Sequence, residues 1–87
     1  MKHPDINLVR EKTEGALKKR RWAEWKVKDI RYHFFPSHYE IALQNAERNV
    51  IISVVSEIYE DLEKDNSSFA QRRLRKKIKE KIPELPE

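Results

Sequence analysis

Val50-Ile51-Ile52-Ser53-Val54-Val55 is the stretch on which the fold turns, because all but Ser53 are β-branched and apolar. Taken alone, the run reads as a strand, since branched side chains pack well on a pleated surface. Its surroundings argue otherwise. Ile41, Leu43 and Ala46 before it, and Ile58 and Leu62 after it, prolong an apolar stripe at helical spacing. A single strand would also have nothing to pair with. The two arguments predict a helix through the run, spanning Ser37 to about Asp65. Its start is marked by Ser37-His38-Tyr39-Glu40, the pattern of a capping box in which Ser takes the amide three residues on and Glu reaches back.

Working outward, Asp65-Asn66-Ser67-Ser68 competes for backbone hydrogen bonds and predicts an interruption. A third helix follows from Asn66 to Ile82, with Ser68 and Gln71 as a second capping box and Phe69, Leu74, Ile78 and Ile82 as its inner stripe. Pro83 ends it and leaves 83–87 as a flexible tail. Upstream, Ile6, Val9, Thr13, Ala16, Arg20, Ala23, Val27, Ile30 and Phe34 advance by threes and fours, which predicts one long helix from about Asp5 to Phe35. Gly15 is where it would bend at least cost, and Pro36 makes the corner to the next helix. The expected fold is therefore all-α. A single domain, 1–87, forms a three-helix bundle of two long antiparallel helices and a shorter basic third.

Composition narrows the function classes. The chain has no Cys, which removes disulfides, thiolate metal sites and Cys nucleophiles. Its single Gly argues against Gly-rich phosphate loops and hairpin turns. No apolar run approaches the length of about 18 residues that a membrane helix needs, so a cytoplasmic protein without membrane contact is expected. A chain of 87 residues buries only about 60% of its unfolded surface. A homodimer is expected on that ground, with Trp22 and Trp25 as core or interface area.

The formal charge is +4, and its distribution is uneven. Residues 1–36 carry ten basic and five acidic side chains, residues 37–65 two and seven, and residues 66–87 seven and three. Neutralisation between neighbouring helices would account for part of this. Two stretches exceed it, Lys18 to Lys28 and Arg72 to Lys81. In the second, seven of ten residues are basic and the apolar Leu74 and Ile78 would face inward, leaving a cationic outer surface. Such a surface attracts phosphate through counterion release. The candidate nucleic-acid contacts are Gln71, Arg72, Arg73, Arg75, Lys76 and Lys79 on the third helix, with Lys18, Lys19 and Arg21 on the first. The indoles of Trp22 and Trp25 lie among cations and could stack on bases, although core or interface area is the simpler role.

Catalytic patterns are missing. No nucleophile elbow, Walker loop or His-Glu-x-x-His occurs, and no enzyme is expected. His33, His38 and Glu40 flank Pro36 and could be imagined as a metal clip, but ordinary turn histidines are the simpler reading, and neither metal nor cofactor is expected.

From Ser56 onward, Ile58, Tyr59 and Leu62, the turn Asn66-Ser67-Ser68, and then Phe69 with the Arg-rich run follow the order of a helix-turn-helix. The stretch Ser68 to Ile78 resembles the recognition helix of small phage transcription regulators related to sigma-factor region 4. Tyr59, Glu63 and Lys64 stand where such motifs place a small residue, a glycine and an apolar residue. The resemblance implies that Gln71, Arg72, Arg73 and Arg75 enter a DNA groove. The function expected is thus a non-enzymatic, nucleic-acid-binding regulator, with DNA as the ligand. The alternative is a small inhibitor or adaptor of phage or plasmid type that grips another protein through its helical surface.

Overall fold

A computed structural model describes residues 6–18, 22 and 24–82. In chain order the elements are α1 (Ile6–Lys18), β1 (Lys26–His33), β2 (His38–Gln44), β3 (Asn49–Val55), α2 (Ser56–Asp65) and α3 (Ser68–Lys81). The strands form one antiparallel meander in the order β1-β2-β3. The protein is α+β, and the all-α, three-helix-bundle reading is overturned. Neither long helix exists: α1 passes through Gly15 and stops at Lys18, and the run from Ser37 to Asp65 divides into two strands and a helix.

The strands follow from their alternation. In β2, Tyr39, Ile41 and Leu43 are buried, while the residues between them are half-buried on the opposite face. In β3, Ile52 and Val54 are buried and Ile51, Ser53 and Val55 are exposed. The strand partner of Val50 to Val55 is the segment just before it, since Ile41 pairs with Ile52 and Tyr39 with Val54. In β1 the register slips between Val27 and Asp29, so Lys28 is an extra residue on that strand. Val27 and Ile30 consequently face inward together although they are three apart, which is why they imitate a helix.

Neither hairpin uses glycine. Residues 34–37 join β1 to β2 and contain a cis peptide between Phe35 and Pro36. Ser37 does not cap a helix: its hydroxyl bonds those of Tyr32 at 2.8 Å and Ser56 at 2.7 Å. Glu40 reaches across to His33. At the second turn Asn45 Oδ1 accepts the amides of Glu47 and Arg48 at 2.8 and 2.7 Å, doing with a side chain what glycine does with backbone freedom.

All three helices cover one face of the sheet. Val9, Thr13 and Leu17 of α1 lie on the inner side, as do Ile58, Tyr59 and Leu62 of α2 and Ala70, Leu74 and Ile78 of α3. α1 packs on β1, α3 on β3, and α2 touches both other helices. At the centre, the Tyr59 ring meets Tyr39 of the sheet edge-on at 5.5 Å. Its hydroxyl lies 2.7 Å from Thr13 Oγ1. Thr13 gives its own proton to Val9 O, so the Tyr59 O–H is the donor of that pair. Burial pushes the Tyr59 phenol well above the usual tyrosine range.

Candidate nucleic-acid interface

The boundary between α2 and α3 falls where the polar cluster sits. Asn66 adopts the left-handed conformation at φ 47° and its amide closes α2 on Leu62 O, a role an Asn side chain tolerates. Ser67, not Ser68, caps α3, accepting the Ala70 amide at 3.3 Å. From that cap Ala70, Leu74 and Ile78 repeat every four residues and turn into the core. This fixes where every cation of α3 points.

Arg72 and Lys76 are exposed on the side away from that seam. Gln71 and Arg75 lie on the flank toward α1, where they join Lys18 in lining a groove of about 480 Å³ between α1, α3 and the end of α2. Arg10, Lys12, Lys18 and Arg75 line it against Glu11 and Glu14. The Gln71 amide is given to Asn66 O at 2.9 Å, so that side chain braces the cap. Arg73 lies on the other flank, 3.2 Å from Glu57 Oε1 and with its guanidinium over the Phe69 ring, 5.7 Å from the centroid. Lys79 is exposed and Lys77 half-buried. Among the described residues, no ion pair engages Arg72, Arg75, Lys76, Lys77 or Lys81. Lys19 and Arg21 lie outside the described residues, as does the tail 83–87.

The aromatic residues fall differently from the sequence reading. Trp22 and Trp25 are 2% and 6% exposed, and the Trp22 indole donates to Ile82 O at 3.0 Å, tying the turn after α1 to the end of α3. Their area goes into the chain's own core, and no ring face is left to stack on a base. Phe69, assigned to the inner stripe, points outward and is 62% exposed. The signal was present: 70, 74, 78 and 82 form an unbroken step of four, and Phe69 is one residue out of it. Arg10, which also lines the groove, shares a helix face with Glu14 and Lys18 at the same spacing.

At the hairpin corner His33 Nε2 is 2.6 Å from Glu40 Oε1, and the rings of His33 and His38 stack at 4.9 Å. His38 Nδ1 bonds Pro36 O. Among the described residues no group of three or more His, Asp or Glu side chains is arranged to hold a metal ion. Nor is any helix among them long and apolar enough to cross a membrane. Compared with protein-family models, curated proteins and solved structures, the chain has no significant match.

Proposed function

We propose that the protein is a non-enzymatic regulator that binds nucleic acid, with DNA as the expected ligand, through the outer face of α3. What supports this reading above all is the set of cations without an ion-pair partner among the described residues: Arg72, Arg75, Lys76, Lys77 and Lys81, all on one helix whose apolar seam faces inward. A helix needs such charges neither to fold nor to pack. Displayed together they raise the local potential and release counterions when phosphate replaces solvent. Lys18 and Arg75 extend the cationic surface into the groove beside α1.

The test is a mobility-shift titration in low salt with wild type and the triple variant R72A/R73A/R75A. Wild type is expected to shift an oligonucleotide at micromolar concentration, and the triple variant to lose the shift while keeping its far-UV circular dichroism. Absence of any wild-type shift would refute the proposal and turn attention to the protein-gripping alternative.

A further inference from the structure

We infer that the α3 surface prefers unpaired nucleic acid, with the Phe69 ring as a stacking platform for an exposed base; this rests on the nucleic-acid reading above and adds the class of strand. Phe69, Arg72, Arg73 and Lys76 stand at i, i+3, i+4 and i+7, so they share one face of the helix. The ring is 62% exposed at the start of that face. A large apolar ring in water costs solvation and contributes nothing to this core, which Ala70, Leu74 and Ile78 complete without it.

Its setting is built and not incidental. Glu57 fixes Arg73 at 3.2 Å, and Arg73 in turn covers the ring at 5.7 Å from its centroid. The phenyl group is thereby supported by a cation while most of its surface remains open. Arg72 and Lys76, without ion-pair partners among the described residues, lie one and two turns away, where they can hold the phosphates on either side of the base that stacks. In duplex DNA the base faces are already stacked on one another and a phenyl on a helix surface has none to meet. In a single strand they are free, and stacking tolerates any base because each has a π-face.

The occupant is set by charge as well as shape. From Arg72 to Lys81 the helix carries one acidic residue, Glu80, against seven basic ones, so an anionic polymer with flat apolar faces complements it on both counts. The other exposed phenylalanines, Phe34 and Phe35, pack edge to face on each other at the β1–β2 turn, beside the His33–Glu40 pair and away from any such row of cations. They provide an internal control.

The experiment is fluorescence anisotropy with a labelled oligothymidine, an oligouridine and a DNA duplex of equal length, titrated with the full chain at one fixed low salt concentration. The variants are F69A, F69Y and F35A. Wild type is expected to bind the single strands more tightly than the duplex. In F69A the ratio of single-strand to duplex affinity falls at least about fivefold, the lower end of what one base stack contributes. F69Y keeps the ratio because its ring is retained, and F35A keeps it because its ring lies elsewhere. The two single strands show whether the ribose hydroxyl matters, and stacking on Phe69 holds with either. A ratio unchanged in F69A, or lost in F35A instead, overturns the stacking role while leaving phosphate binding by α3 intact. Failure of wild type to bind any of the three overturns both.

Discussion

The molecule presents two broad surfaces to solvent, the outer side of α3 and the open face of the sheet, and they differ in how much positive charge they leave uncompensated. On the sheet, Arg31 lies 3.6 Å from Asp29 and His33 Nε2 lies 2.6 Å from Glu40 Oε1, while Lys26 and Lys28 have no ion-pair partner among the described residues. Exposed Ile51 and Val55 fill much of the rest. On α3 Arg73 pairs with Glu57, and Arg72, Arg75, Lys76, Lys77 and Lys81 remain without an ion pair among the described residues. The strands carry three Lys and Arg against two acids, and α3 seven against one. Exposed apolar side chains occur on both surfaces, so exposure alone does not mark a binding site. What separates them is how much charge is left over after folding is satisfied.

The comparison is broken most severely from beneath. Leu74→Ala, on the inner seam of α3, should cost about 2–5 kcal/mol and detach the cationic helix, whereas Ile51→Ala on the open sheet face should change stability by less than about 0.5 kcal/mol. Urea midpoints of the two variants measure the contrast.

It is sharpened by removing charge. The triple change Arg72, Arg75 and Lys76 to Ala should lower single-strand affinity by at least about a hundredfold at low salt and flatten the slope of log K against log salt by about 2, three phosphate contacts at roughly 0.7 each. The same treatment of Lys26, Lys28 and Arg31 on the sheet should leave that slope nearly unchanged. Salt titrations of both triples decide it.

Tyr59 joins the two layers, touching Thr13 on one side and Tyr39 on the other. Tyr59→Phe should cost about 0.5–1.5 kcal/mol, since Thr13 keeps its bond to Val9 O and loses one donor. The sign of its pH dependence follows from the raised phenol. Below the unfolded value near 10 both states hold the proton and stability is full; as pH climbs above that, the unfolded chain ionises first and stability falls. Chemical denaturation in the alkaline range should show a shallower decline in Tyr59→Phe than in wild type. The smallest effect is on the groove wall: a methyl at Gly15 meets nothing within 4 Å, so Gly15→Ala should stabilise by about 0.5–1 kcal/mol, read from thermal midpoints.

These contrasts also explain what could be read from the chain. A third helix, its cations and the break near Asn66–Ser67 were legible because Leu74, Ile78 and Ile82 repeat every four residues behind a polar capping cluster, although Ser67 and not Ser68 is the cap and Ala70, not Phe69, opens the inner stripe. Between Lys26 and Val55 the same rules misled. The extra residue at Lys28 put Val27 and Ile30 three apart, and Ser37 and Glu40 had capping-box spacing while their side chains bond across strands. Turns built on Pro36 and Asn45 hid the hairpins from a search for glycine. Pairing is a long-range property, and no local window reveals that Ile41 will face Ile52. For the candidate site, charge was visible in composition, but which aromatic stays outside depends on packing. The tryptophans went into the core and Phe69 did not.

Amide chemical-shift mapping of the labelled protein with a short oligothymidine tests the central claim most directly. The account predicts perturbations that concentrate on Phe69, Arg72, Arg73, Lys76 and Lys79 and extend to Arg75 and Lys18, with strand residues 26–33 and 49–55 unmoved. Shifts centred on the open sheet face instead, or none anywhere at saturating ligand, would contradict it.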